Sequence, residues 1–143
     1  MKQTKSAASL IAILLLLFNG VGAIYGGISL ISRPDGSSIS LSASLLDRTP
    51  FHSFFVPGIV LLIVNGLFSL VCIVMQLMKY ARSGYFIMMQ GTLLTGWILI
   101  QVSMLHTINM LHYVMCTTGL LLVACGAIIV KSKRQYPKSF ALL

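Results

Sequence analysis

The chain has 143 residues, of which 57% are apolar and only 8% are charged, a composition that excludes an ordinary soluble domain. Ten lysines and arginines stand against two acids and give a formal charge of +8, yet they lie between and beyond long apolar runs. That placement is typical of cations that set membrane topology and contact anionic lipid, and it argues against a nucleic-acid-binding protein.

Four apolar runs are each long enough to cross the hydrocarbon core of a bilayer as a helix, which takes about 20 residues. Continuous runs of this length predict helices, because backbone polar groups in lipid must be satisfied within the segment. The predicted spans cover residues 7–31, 57–78, 85–105 and 108–130. We therefore predict an all-α membrane protein, a four-transmembrane-helix bundle that forms one domain over residues 1–143.

The first run also has features of a secretory signal peptide. Lys2 and Lys5 precede the apolar stretch, and the small residues Val21 and Ala23 resemble a cleavage site. The apolar stretch continues to residue 31, well past that site, which favours a retained helix. Cleavage would instead leave three spans and place the new N-terminus outside.

The first connection, residues 32–56, is far longer than the others, and its sequence predicts a folded lid on the outer face. Arg33-Pro34-Asp35-Gly36 has the residue types of a tight turn. Residues 37–46 alternate polar and apolar, which fits a strand or equally a short interfacial helix with a serine cap. Thr49-Pro50-Phe51 then predicts a helix start, with threonine as the cap and proline at the first position.

The distribution of lysine and arginine predicts the orientation of the spans. Eight of the ten cations lie in the N-terminal tail, the second connection and the C-terminal tail. The positive-inside rule therefore predicts an N-in/C-in topology with the 32–56 loop outside. The basic cytosolic tail, residues 131–143, is predicted to contact anionic lipid headgroups. Its cations are Lys131, Lys133, Arg134 and Lys138.

Small residues predict where the helices approach each other, since they let two backbones come close. A spacing of four residues places two small side chains on one helix face. The pairs with this spacing are Gly22 with Gly26, Gly91 with Thr95, and Thr92 with Gly96. On the last helix, Gly119 and Ala127 are expected to act in the same way.

Uncharged amides are the polar side chains that need partners within the spans. They are Asn19, Asn65, Gln76, Gln90 and Gln101. Asn65 lies nearest to the middle of the bilayer and is expected to hydrogen-bond to another helix. No Asp, Glu, Lys or Arg lies deep in a span, which argues against a proton-coupled transporter, a voltage sensor and a charge-lined pore.

All three histidines fall on the predicted outer side. His52 lies in the long loop, and His106 and His112 flank the third connection. Neutral imidazole is a good ligand for a metal or haem, and nearby methionines add thioether ligands for copper(I). Histidine also sits well at a membrane interface with no ligand, and this second interpretation is favoured because a turn separates His106 from His112. We predict no bound cofactor.

No catalytic motif is present in the chain, neither a nucleophile elbow nor a phosphate-binding loop. The only carboxylates, Asp35 and Asp47, stand beside arginines, and roles in turns and ion pairs account for them. We therefore predict that the protein is not an enzyme. The residues kept as candidates for ligand binding are Asp35, Asp47, His52, Asn65, Trp97, Gln101, His106 and His112.

Several short motifs follow one another in an order that resembles a known group of proteins. They are Pro34-Asp35-Gly36-Ser37, Thr49-Pro50-Phe51, Val56-Pro57-Gly58 and Gly96-Trp97 with Gln101. This order is similar to that of an uncharacterised family of small bacterial four-helix membrane proteins. The resemblance implies the same four-span topology and a bacterial plasma membrane, and it implies no chemistry.

Two functional classes are consistent with these features. The first is a small non-enzymatic bundle, an accessory subunit of a larger membrane assembly. The second is a binder or carrier of a small ligand, metal or haem at the outer face, which would use the 32–56 loop and the histidines.

Overall fold

A computed structural model describes residues 2–47, 49–105 and 108–134, with side chains described except at 2–5, 43, 104, 105 and 134. His106 and Lys138, two of the residues named above, lie outside the described residues. The described chain is helical and contains no strand. Four helices are long and apolar enough to cross a membrane, as predicted, at Ser6–Ser32, Phe55–Leu77, Ser83–Ser103 and Met110–Lys133.

The second of these helices changes its winding twice along its length. It begins as the α-helix α2, Phe55–Val60, continues as a π-helical segment, Leu61–Leu67, and ends as α3, Phe68–Leu77. The other three are single α-helices: α1 at Lys2–Ser32, α4 at Ser83–Leu105 and α5 at Met110–Arg134. A π-helical segment is rare and is frequent at functional sites, so its position matters below.

The four helices pack as a bundle in which α1 lies against α2–α3 and α5, and α4 lies mainly against α5. Fully buried apolar side chains from all four helices form the core, among them Leu16, Cys72, Leu94 and Leu122. The outward surface of the helices is also apolar, with leucine, isoleucine and valine exposed along its length. Such a surface suits hydrocarbon, because lipid tails are as apolar as these side chains.

Glycines seven residues apart set the closest helix contact, between α4 and α5. A Cβ atom on Gly91 would lie 2.5 Å from the carbonyl oxygen of Gly119, and one on Gly126 would lie 2.7 Å from that of Gly84. Seven residues are nearly two turns, so each pair of glycines shares one face of its helix. The two backbones are thus in direct contact along α4 and α5.

The predicted small-residue pairs are right in part. Gly91 and Thr95 both lie against Gly119, as expected. Gly22 and Gly96 instead have open space where a Cβ atom would stand, so the faces predicted from them are wrong. On α1, the glycine that touches a neighbouring backbone is Gly27, where an added Cβ would lie 2.9 Å from the carbonyl oxygen of Gly58.

The α1–α2 loop, residues 33–54, contains two 3-10 turns, Ser37–Ile39 and Ala43–Leu46. The strand considered for residues 37–46 is therefore wrong. The Ala43–Leu46 turn resembles the other alternative, a short helix with a serine cap, because Ser42 caps it. The hydroxyl of Ser42 accepts a hydrogen bond from the backbone N–H of Ser44 at 3.4 Å. A lone strand would leave its backbone groups without partners, whereas 3-10 turns bond locally.

The helix start predicted at Thr49-Pro50 is also wrong, because the helix begins at Phe55. The hydroxyl of Thr49 donates to the carbonyl oxygen of Leu46 at 3.0 Å, and its oxygen accepts from the backbone N–H of Phe51 at 3.3 Å. The threonine therefore closes a turn inside the loop. Threonine hydroxyls serve in turns as readily as in helix caps, which explains the error.

The loop is closed by a hydrogen bond between its two ends and is fastened to α1 and α4. The backbone N–H of Phe54 donates to the carbonyl oxygen of Pro34 at 2.8 Å, and the Phe54 ring is 5% exposed. The hydroxyl of Ser38 donates to the carbonyl oxygen of Ser29 on α1 at 2.9 Å. The Ala43–Leu46 turn contacts α4. The loop thus lies folded over the ends of α1 and α4.

Gly36 is the tightest point of the loop, and we expect Gly36→Ala to loosen it. Gly36 has φ +80°, and an added Cβ would lie 2.9 Å from both Leu41 and Phe54. Left-handed backbone costs a residue with a Cβ about 1–2 kcal/mol, and the contacts add to that cost. Trypsin, for which the loop offers the Arg48–Thr49 bond, should cut the variant faster than the wild type. Equal cleavage rates would contradict the prediction, and Ser44→Ala in the same loop is the control.

Candidate functional site

Two groups of hydrogen-bonded polar side chains join the helices, the first buried and the second only partly buried. The amide cluster, at mid-length of the bundle, consists of Asn19, Asn65, Ser69 and Gln90. The end clasp lies at the end of the bundle where α1 begins. It consists of Ser9, Gln76, Ser83 and Lys133. In a membrane protein such groups hold helices together or bind a ligand, since lipid offers them no hydrogen bonds.

Asn65 is the centre of the amide cluster and is fully buried. Its backbone carbonyl accepts a hydrogen bond from the Asn19 side-chain amide at 3.3 Å, and the same amide donates to Ser69 Oγ at 2.9 Å. Its side-chain oxygen Oδ1 accepts from Gln90 Nε2 at 3.3 Å. Through Asn65, helices α1 and α4 are both tied to the second span, as the sequence analysis expected of this residue.

The π-helical segment determines how Asn65 is presented. Its i→i+5 hydrogen bonding places Asn65 and Gly66 side by side on a widened turn, both buried. A Cβ atom on Gly66 would lie 2.8 Å from Ile24, so α1 packs closely on that side of the turn. The Asn65 side chain meets α4 at Gln90. The π-helical segment therefore packs against α1 at Gly66, and it hydrogen-bonds to α4 through the side-chain amide of Asn65.

Three buried polar atoms among the described residues have no hydrogen-bond partner. They are Nδ2 of Asn65, Oε1 of Gln90 and Nε1 of Trp97. Gln90 and Trp97 are seven residues apart on α4 and so share a face of that helix. An unpaired buried polar atom costs about 1–3 kcal/mol, which makes this face of α4 the most unusual part of the bundle.

The end clasp takes one residue from each of the four helices. Gln76 Nε2 donates to Ser9 Oγ at 2.8 Å, and Ser83 Oγ donates to Gln76 Oε1 at 2.5 Å. Lys133 Nζ donates to Ser83 Oγ at 2.8 Å and also to the carbonyl oxygen of Tyr80. The lysine, predicted as a lipid contact, thus has its ammonium hydrogen-bonded to the α3–α4 connection.

The remaining candidate residues do not gather into one site. Asp35, Asp47 and His52 are exposed in the loop, and Gln101 is half-buried on α4. His112 is half-buried, and its Nδ1 accepts a hydrogen bond from the backbone N–H of Asn109 at 3.0 Å, which leaves only Nε2 for a ligand. Within residues 2–47, 49–105 and 108–134, no three His, Cys, Asp or Glu side chains stand close enough to hold a metal ion.

The hydroxyl partners of the amides, Ser9, Ser69 and Ser83, are not among the residues predicted from the sequence. Ser69 follows Asn65 by four residues, a spacing that places both on one helix face. That spacing was available in the sequence as a signal for a polar face. Ser9 and Ser83 lie near span ends, where a serine is ordinary, and no sequence pattern distinguishes them.

Asp35 has the turn role that its sequence position predicted. Its Oδ1 accepts hydrogen bonds from the Ser37 backbone N–H at 3.1 Å and from the Ser37 hydroxyl at 2.8 Å. These two bonds, with a smaller contribution from Arg33, hold the pKa of Asp35 below its ordinary value of 3.8. A lowered pKa means that the turn is stabilised above about pH 4 and loses that stabilisation as the pH falls through the lowered value.

We expect Ser37→Ala to raise the pKa of Asp35 part of the way back toward 3.8, because the variant keeps the backbone bond and loses the hydroxyl. Titration of the Asp35 carboxyl carbon by NMR measures the change. Ser44→Ala, which removes a hydroxyl that bonds to Ser42 instead, should leave the value where it is. A Ser37→Ala titration that overlays the wild type would contradict the assignment.

Comparison of the chain with protein-family models, with curated proteins and with solved structures found no match. The resemblance to small bacterial four-helix membrane proteins therefore stays a prediction, and the case for function is made from the fold and the two polar groups.

Proposed function

We propose that this chain is a four-span integral protein of a bacterial plasma membrane, with both termini in the cytosol, that serves as a non-catalytic subunit of a larger membrane assembly. The observation that carries the proposal is the use of the polar side chains within the spans. Most of them join helices: Asn19, Gln76 and Gln90 each donate to another span. The chain's only acids, Asp35 and Asp47, lie in the loop, which leaves no charged path through the bundle.

The end clasp supports the proposed topology. Because Ser9, Gln76, Ser83 and Lys133 meet, the start of α1, the α3–α4 connection and the end of α5 share one end of the bundle. Seven of the ten cations belong to these three parts of the chain, and Lys138 follows them in the sequence. The positive-inside rule assigns this end to the cytosol. Of the tail cations, Lys131 is exposed and suited to anionic headgroups, while the Arg134 side chain and Lys138 lie outside the described part.

Labelling of single cysteines with a membrane-impermeant maleimide tests the topology. The background is a variant with Cys72, Cys116 and Cys125 replaced by serine. We expect Ser44→Cys, in the loop, to react in intact cells. Ser6→Cys, at the start of α1, should react only after the membrane is permeabilised. The reverse pattern would refute the N-in/C-in orientation, and labelling of both in intact cells would refute the four-span topology.

The subunit role is tested by purification from native membranes. A tagged chain expressed at its natural level, crosslinked before extraction, should carry a second membrane protein in a fixed ratio. A variant with separated helices, Gly91→Leu, serves as the control for contacts made by misfolded protein. Recovery of the chain alone, under conditions that preserve known assemblies from the same membrane, would count against the proposal.

One observation favours a second candidate, a binder of a small ligand at the outer face. The Ala43–Leu46 turn of the loop contacts α4, the helix on which the buried Trp97 Nε1 has no partner. The metal and haem forms of this candidate rest on His106 and His112. An absorption spectrum and metal analysis of the purified protein test them, because a haem or metal centre lost on replacing both histidines would favour the binder over the subunit.

A further inference from the structure

The Asn65–Gln90 pair is a hydrogen-bonded pair of amides with one free donor and one free acceptor. Gln90 Nε2 donates to Asn65 Oδ1, which leaves Asn65 Nδ2 and Gln90 Oε1 without partners. Turning both amides by 180° would keep one bond between them and again leave one donor and one acceptor. The pair therefore leaves one hydrogen-bond donor and one acceptor available to a further group, whichever way the amides face.

Charge and burial restrict what that group is. Both side chains are 0% exposed. The neighbouring polar side chains are uncharged: Asn19 donates to the Asn65 backbone carbonyl, and Ser69 accepts from Asn19. An ion placed here would have no opposite charge near it and would cost far more than two hydrogen bonds return. The complementary group is neutral. A hydroxyl has the matching chemistry, because its oxygen accepts a hydrogen bond and its O–H donates one.

Trp97 extends the same face of α4 toward the loop. It lies seven residues beyond Gln90, a rise of about 10 Å along the helix. Its unpaired Nε1–H needs an acceptor, as the amide pair needs a hydroxyl. Gln90 and Trp97 both lie on the side of α4 that faces the core. On this side, Asn65 of the π-helical segment contacts Gln90.

We propose that Asn65 and Gln90 bind the hydroxyl group of a neutral molecule inside the bundle, either a water molecule or an organic alcohol. An alcohol with a second oxygen about 10 Å away also accepts from Trp97, whereas a single water at the amide pair does not reach it. The proposal goes beyond the subunit role and requires no partner protein, so the two fail independently.

Water-edited solid-state NMR on the full-length protein tests the water source. The protein is placed in vesicles of phosphatidylethanolamine and phosphatidylglycerol, with ¹⁵N in the Asn and Gln side chains. If water is bound, magnetisation from water should reach the amides of Asn65 and Gln90 several-fold faster than that of Asn19. Asn19 is the internal control, since its Nδ2 already donates to Asn65 and Ser69.

Mass spectrometry of a solvent extract from the purified protein tests the alcohol source. A hydroxyl compound recovered with the wild type, lost from Asn65→Leu/Gln90→Leu and reduced in Trp97→Phe, would identify an alcohol. Trp97→Phe should leave a water signal at the amide pair unchanged, which separates the two sources. Absence of both the water transfer and a retained hydroxyl compound in the wild type would overturn the proposal, and this outcome does not depend on how the variants fold.

Discussion

Gly91→Ala is expected to destabilise the bundle by about 1–3 kcal/mol, although the change adds a single methyl group. That methyl would lie 2.5 Å from the carbonyl oxygen of Gly119 and 2.9 Å from the backbone nitrogen of Val123. Both are backbone atoms of α5, which cannot rotate away as a side chain can. The helices must therefore move apart, and the separation weakens the packing of Gly84 against Gly126 along the same face.

Gly96→Ala provides the matched control on the same helix. No atom lies within 4 Å of the Cβ that the substitution would add. Alanine favours a helix over glycine by up to about 1 kcal/mol, so this variant should be as stable as the wild type or more so. Thermal unfolding of the purified protein, followed by circular dichroism, compares the two. Equal midpoints for Gly91→Ala and Gly96→Ala would show that α4 and α5 are not in backbone contact.

Asn65→Leu is the second substitution with a large expected effect, because it removes the group that links α4 to the second span. The Gln90 side-chain NH2 would lose the acceptor that Asn65 Oδ1 provides and would stay buried without it. Orphaned amides cost about 1–3 kcal/mol, whereas hydrogen bonds between membrane helices average about 0.6 kcal/mol. We expect the free energy of unfolding to fall by about 1–3 kcal/mol, because Gln90 is 0% exposed and water cannot replace the lost partner.

A double-mutant cycle isolates the contribution of the pair. Gln90→Leu alone and Asn65→Leu alone should each destabilise the bundle, while the double variant should lose less than the sum of the two. Thr92→Val is the control, since the Thr92 hydroxyl is exposed and donates only to the carbonyl oxygen of Met88 on its own helix. Strictly additive losses in unfolding free energy would mean that the two amides do not interact.

The number of helices could be predicted from the sequence because each apolar run is long enough to decide the matter alone. The helix faces that contact each other could not be predicted in this way. Two small residues four positions apart mark one face of a helix, but they do not show which helix packs against it. Gly22 and Gly96 illustrate the failure, because both face open space. The more informative pattern is the seven-residue spacing of Gly84 with Gly91 and of Gly119 with Gly126, two helices that pack on each other.

The loop and the amide cluster show where local patterns stop being informative. Thr49 has the residue type of a helix cap, yet its hydroxyl bonds within the loop, and only the bonds around it distinguish the two roles. Asn65 was expected to need a partner on another helix. That the partner is Gln90 depends on the relative height of two helices, which is set by contacts along their whole length.

The end clasp and the glycine contacts also bear on how the protein is made. Synthesis runs from the N-terminus, so α4 leaves the ribosome before α5 does. Until then, Gly84 and Gly91 have no helix against them, and Ser83 lacks the ammonium of Lys133. A chain that stops within α5 would present this bare glycine face to lipid and to membrane proteases. The last helix to be made is therefore the one that completes both the α4 contact and the clasp.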